Sequence, residues 1–199
     1  RDYWTVPYLP IDPEDVGRTY DSDVIRINSQ SGKGGVNYIL KQSHGISLPD
    51  KMREEMSYTA KRVSDQAHQE LTPEWIYQIF CDNYINVDKK FHITECHFVQ
   101  EDGIQAKATV ESEGRTAVIN GQGNGRLDAV SNAIRSYLDV DYELVDYEQH
   151  SLTKGSSSKA VSYVSITKDG QTFWGVGIDE DIIKSSYQAL EVAVNKILD

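Results

Sequence analysis

Residues 89–199 run through one order of structural signals twice, and that repeat limits the possible folds more than any other feature of this 199-residue chain. Segments 91–99, 103–110 and 115–119 carry strand-like patterning, clearest where Ile104, Ala106, Ala108 and Val110 alternate with polar residues. Glu101-Asp102-Gly103 and residues 111–114 read as the hairpin turns between them. An amphipathic helix follows from about Asn124, with Leu127, Val130, Ala133, Ile134 and Tyr137 on its inner face. The order then recurs. Strands at 142–150, 160–167 and 172–177 precede a last helix with Ile182, Ile183, Tyr187, Leu190, Val194 and Ile197 turned inward. The best residue-level trace of the repeat is a glycine pair, Gly121-Gln122-Gly123 and Gly175-Val176-Gly177, each joining a third strand to its helix. A βββα unit leaves one sheet face bare, so the two copies are expected to bury theirs against each other.

The first 88 residues have a different grammar. Residues 1–21 hold three of the five prolines and little periodicity, which predicts an extended arm. Val24, Ile25 and Ile27 form a short strand-like run before a polar, glycine-rich turn at 28–35, and a short helix from Val36 to Leu40 stops near Gly45. Met52, Met56, Ala60, Val63 and Ala67 make the stripe of a longer helix. Thr72 as N-cap and Pro73 at the first helical position open another, with Trp75, Ile76, Ile79, Phe80 and Tyr84 buried. The fold expected is α+β: an arm with helices over 1–88, then a duplicated βββα module over 89–199 with units at about 89–140 and 141–199 and pseudo-twofold symmetry.

Twenty basic against 31 acidic side chains give a formal charge of -11, which repels nucleic-acid phosphates and anionic lipid surfaces. No nucleic acid and no membrane are therefore expected as partners. No apolar run approaches the roughly 18–20 residues of a membrane span, and no secretory leader is visible, which predicts a cytoplasmic protein. The chain opens at Arg1, without an initiator Met, directly into Tyr3-Trp4-Thr5-Val6-Pro7-Tyr8-Leu9-Pro10, which predicts a piece of something longer. Cys81 and Cys96 lack a CxxC spacing and read as two reduced, mostly buried thiols.

Self-contained chemistry is hard to find. Gly32-Lys33 imitates the end of a phosphate loop, but Ile27 stands where its first glycine belongs and Gly34 where Ser or Thr must follow the lysine. His92, Cys96 and His97 lie close in sequence, yet plain strand alternation puts His92 and Cys96 on one face and His97 on the other, with no fourth ligand nearby. The segment Gly121-Gln122-Gly123-Asn124-Gly125 has two readings: a tight strand-to-helix turn, or a site where helix-start amides receive a small carboxylate or phosphate.

The segment from Val6 to Pro13, Asp15-Val16-Gly17-Arg18 and Ile27-Asn28-Ser29-Gln30-Ser31-Gly32-Lys33-Gly34-Gly35-Val36 closely resembles the linker region of the 2-isopropylmalate synthase family. Residues 121–125, Asp146-Tyr147-Glu148-Gln149-His150, Trp174-Gly175-Val176-Gly177-Ile178 and Ala193-Val194-Asn195 resemble that family's C-terminal regulatory domain. The resemblance implies a linker over 1–88, and over 89–199 an allosteric, dimerisation domain of an enzyme that condenses acetyl-CoA with 2-oxoisovalerate. It implies leucine as feedback inhibitor, a homodimer, and a parent whose N-terminal (β/α)8 catalytic domain carries a divalent metal, with no cofactor in the present residues and no activity from them alone. By position, Tyr8 corresponds to a tyrosine contributed to the partner's barrel. Gly123, Asn124, Gly125, Leu127 and Asp128 correspond to the helix start that meets leucine, and Leu144, Tyr147 and Ser151 to the strand lining the same pocket. Asp128 replaces a small apolar residue and Glu143 adjoins Leu144, departures that bear on the ammonium contact and on ligand choice. A citramalate synthase regulatory region sensing isoleucine, and a dimerisation module without ligand response, are the alternatives.

Overall fold

A computed structural model describes residues 33–152 and 158–198. The expected arm, the run at 24–27 and Tyr8 lie outside these residues. The chain divides into two compact units, Arg1–Ile79 and Phe80–Asp199.

Within the first unit, α1 (Lys33–His44) buries Val36, Ile39 and Leu40, one face of a helix by spacing. Gly45, at φ 71, ends it in the left-handed region where a Cβ is costly, and its N–H donates to Lys41 O. The second helix, α2 (Asp50–Ala67), packs on α1 through Met52, Met56, Thr59 and Ala60. Its stripe departs from expectation at the C-terminal end, where Ala67 is exposed and Ser64 is buried instead, its hydroxyl donating to Gln69 O. Thr72 caps α3 (Pro73–Tyr84) as expected, its Oγ1 accepting from the Trp75 N–H at 3.1 Å.

The second unit contains both copies of the repeat. Strands β1 (Phe91–Gln100), β2 (Ile104–Ser112) and β3 (Arg115–Gly123) form one antiparallel meander followed by α4 (Arg126–Leu138). The second meander is β4 (Glu143–Leu152), β5 (Lys159–Lys168) and β6 (Gln171–Asp179), followed by α5 (Ile182–Asn195). Two of the hairpins are equivalent: Glu113-Gly114 and Asp169-Gly170 each supply two consecutive positive φ angles, the twist that antiparallel strands need at a two-residue loop.

Each third strand runs further than periodicity predicts, and in the first copy this takes Gly121 and Gly123 into the sheet, where Gly175 and Gly177 also lie. The helices lie so close there that a Cβ on Gly121 would run into Ala129 O and Ala133 N, and one on Gly175 into Ala189 O and Ala193 N. The paired glycines are seats for helix backbones. Measured from those seats, α5 begins a full turn earlier than α4.

The expectation that the two sheets bury bare faces against each other is not met. The copies join through α4, α5 and β1, in one continuous core that includes Phe91, Ile93, Ala108, Val130, Ile134, Val164, Leu190 and Val194. The outer face of the first sheet, with His97, Lys107 and Val118, is exposed, whereas β5 is buried on both faces from Ala160 to Ile166. Ile182 and Tyr137, expected inward, are 54% and 40% exposed, because each sits near a helix end where the core has run out.

The join is reciprocal. Helix α4 grips the entry to β4: the Arg135 guanidinium donates to Tyr142 O at 2.8 Å, and Ser131 Oγ donates to the buried Tyr142 hydroxyl at 3.0 Å. Burial pushes the Tyr142 phenol up to about 12, against smaller opposing effects of Ser131 and Arg135. Helix α5 grips the entry to β1. Asn195 accepts from the Lys90 and Phe91 N–H groups and donates to Phe91 O, while Glu191 accepts from the Ile93 N–H at 2.6 Å. In each case the gripping residues lie two positions beyond the helix alanines seated on the glycines.

Candidate functional site

The expected helix-start residues assemble at the end of β3. Gly123 closes the strand under Asp128 and Ala129, Asn124 and Gly125 turn the chain, and Leu127 enters the core from the first turn of α4. Gly125 is the N-cap residue and contributes no side-chain hydrogen bond. Asp128 reaches back instead: its Oδ2 accepts from the Asn124 N–H at 2.9 Å. A carboxylate there suits the positive end of the helix dipole, and the space it fills exists because position 123 has no side chain. At the matching place in the second unit the extra helical turn fills the space, and Asp181 caps it by accepting from the Ile183 and Lys184 N–H groups.

Leu144, Tyr147 and Ser151 lie on β4. Strict alternation would set Leu144 and Tyr147 on opposite faces, three positions apart. A bulge between Leu144 and Asp146 corrects this, so that Leu144 lies opposite Ile166, Tyr147 opposite Val164 and Ser151 opposite Ala160, all on the α5 side of the sheet. Leu144 borders the same core that holds Leu127. Tyr147 is 45% exposed and Ser151 is exposed.

Gln149 shares that face and was not singled out as a site residue. Its Nε2 donates to Ser162 Oγ at 2.8 Å and to Ile182 O at 3.0 Å, and lies 3.3 Å from Ser185 Oγ, tying the middle of β4 to the first turn of α5. Nothing in its local sequence marks the role, because its partners come from β5 and α5. Glu191 was missed for the same reason. At 1% exposure it is held by Lys89 Nζ at 3.0 Å, His92 Nδ1 at 3.1 Å and the Ile93 amide. Its placement inside the apolar run from Leu190 to Val194 is the one sequence signal that could have found it.

The reading of His92, Cys96 and His97 needs correction. A bulge between Ile93 and Glu95 resets the alternation, so His92 and His97 share the outer face opposite Glu111 and Lys107, while Cys96 turns inward opposite Ala108. Burial raises the Cys96 thiol to about 11, which keeps it protonated and unreactive near neutrality. No cluster of three His, Cys, Asp or Glu suited to a metal occurs among the described residues. No helix there is long and apolar enough to cross a membrane. A cavity of about 580 Å³ opens in the first unit beside Asn37, Tyr38, Lys41, Leu48 and Arg53, and none of the expected site residues among those described borders it.

A family model described as LeuA allosteric (dimerisation) domain matches residues 70–198, and one described as alpha-isopropylmalate synthase, post-catalytic domain-like, matches residues 1–41. Among curated relatives, the 2-isopropylmalate synthase of Helicobacter hepaticus is 48% identical over 98% of this chain and 37% of its own length. That of Desulfitobacterium hafniense is 48% identical over 98% of the chain and 35% of its own length, and that of Rhizobium meliloti 38% identical over 98% and 36%. The chain thus spans little more than a third of the relatives it matches.

Proposed function

Because this chain belongs to the LeuA allosteric (dimerisation) domain family, we propose that it is the leucine-sensing regulatory region, with its linker, of a 2-isopropylmalate synthase. The parent, on this reading, condenses acetyl-CoA with 2-oxoisovalerate in the cytoplasm. It does so on a (β/α)8 barrel that holds the divalent metal and to which Tyr8 is contributed from the partner subunit. Its regulatory domains pair in a homodimer. The present residues bind leucine and catalyse nothing by themselves.

The observation that carries the proposal is the missing first turn of α4. Without it, and without a side-chain cap at Gly125, the first-turn amides of α4 are open to a carboxylate ligand, whereas Asp181 closes the corresponding end of α5. Leu127 and Leu144 supply apolar wall from the shared core, Tyr147 and Ser151 the rim, and Asp128 an acceptor for the ammonium group. Leucine then inhibits by favouring one arrangement of the dimer, with a coupling of about 1–3 kcal/mol typical of such sites.

One observation favours a second reading. Asp128 already occupies the Asn124 amide, as an internal substitute for a ligand carboxylate would, which suits a dimerisation module without ligand response. Calorimetry of the 199-residue chain with leucine and with isoleucine separates the readings. Leucine tighter than isoleucine by about tenfold, the worth of a shifted methyl branch, is the expected result. Isoleucine preference points to a citramalate synthase, and no heat from a verified dimer removes the ligand site.

A further inference from the structure

We propose that α5 is the relay through which ligand binding at β4 reaches the segment joining α3 to β1. This rests on the ligand-site reading above and adds the route. At its first turn α5 is fastened to the candidate ligand strand by Gln149, whose position between Tyr147 and Ser151 on the same face brings it against Ile182 O and Ser185. About 15 Å further along the helix, at roughly 1.5 Å rise per residue, α5 is fastened to the start of the first sheet. There Glu191 and Asn195 bond the backbone of Lys90, Phe91 and Ile93. Beyond the helix, Lys196 Nζ donates to Trp174 O at 2.7 Å and stands 4.5 Å from the ring centre of Tyr84, the last residue of α3.

Three properties make this a transmitting element rather than a general brace. The two ends are polar and directional, so a small rotation of the helix changes their geometry, whereas apolar contacts along the shaft tolerate sliding. The distal grip is charged and buried, since Glu191 at 1% exposure depends on Lys89, His92 and the Ile93 amide together, and such a group responds sharply to the loss of any partner. The equivalent grip of α4 carries no carboxylate and holds Tyr142, in the connection between the two copies. Only the α5 grip therefore faces the chain that leads out of the module.

Hydrogen exchange on the 199-residue chain, with and without saturating leucine whose binding is verified by calorimetry on the same sample, tests the relay. Leucine is expected to slow exchange of the Lys90, Phe91 and Ile93 amides by about fivefold or more, in keeping with a coupling of ordinary size. In Glu191→Gln, leucine affinity stays within about twofold while that slowing disappears. Lys196→Met, at a half-buried site that tolerates the change, is expected to halve it if Glu191→Gln does not fold. Leucine that binds without changing exchange at these amides, or a Glu191→Gln protein whose response persists, overturns the relay and leaves the site standing. Absence of any amino-acid binding overturns both.

Discussion

The two βββα copies of this protein share strand order, hairpins and glycine seats, yet they differ at the start of the helix. In the second copy α5 starts a turn earlier, Asp181 caps it, and Gln149, Ser162 and Ser185 fill the space with mutual hydrogen bonds. In the first copy that turn is missing and Asp128 alone leans into the gap. The two copies share one scaffold, and a single turn of helix leaves the start of α4 uncapped by any side chain where Asp181 caps α5. The same asymmetry marks the grips, since α5 holds β1 through a buried carboxylate and α4 holds Tyr142 without one.

The comparison breaks most readily at the features the copies share. Gly121→Val and Gly175→Val both force a side chain into helix backbone and are each expected to cost about 3 kcal/mol or more, at the upper end of overpacking penalties, in denaturant unfolding. Near-neutral behaviour at either position would mean that the seats are not equivalent. Asn195→Ala strips partners from the Phe91 backbone and should cost about 2–3 kcal/mol. Ser131→Ala, which removes one hydroxyl from the weaker grip, should cost about 1 kcal/mol. Equal losses would contradict the asymmetry of the grips.

Alkaline titration probes the two helix grips further, because Tyr142 is held by α4 and Tyr187 lies on α5. Burial raises Tyr142 to about 12, and burial followed by the nearby Cys96, Asp181, Asp179 and Glu191 raises Tyr187 to about 12. Below pH 10 both phenols are neutral in folded and unfolded chains. As pH rises from 10 towards 12 the unfolded chain releases these protons while the folded chain keeps them, so stability is full below pH 10 and falls across that window. Absorbance of phenolate should show Tyr142 and Tyr187 ionising late, and Tyr142→Phe should remove one late-ionising group. The smallest expected effect is at the helix starts: Asp181→Ala should cost about 1 kcal/mol, while Gly125→Ser should stabilise by only a few tenths and weaken leucine binding by closing the open end.

Much of the fold is legible in the chain itself. Eleven named elements follow from period-two and helical patterning, from the Glu113-Gly114 and Asp169-Gly170 turns, and from the Thr72 cap, all of which act over a few residues. The resemblance to a known family also pointed to the helix start and the strand proposed as the ligand site. Its geometry was not legible. Faces were misassigned at His92, Cys96 and His97 because a bulge is set by the register against a neighbouring strand. The sheet-on-sheet expectation failed because the helices, seated on glycines, offered a closer-fitting core.

The order of elements, the duplication and the turn chemistry belong to the sequence, since each depends on local dihedral preference and hydrophobic period. Tertiary structure alone decided that Leu144 and Tyr147 share a face, that α4 begins late, and that Glu191 is buried. The last needs an amide 98 residues away in the chain, and no local pattern can specify a partner at that distance.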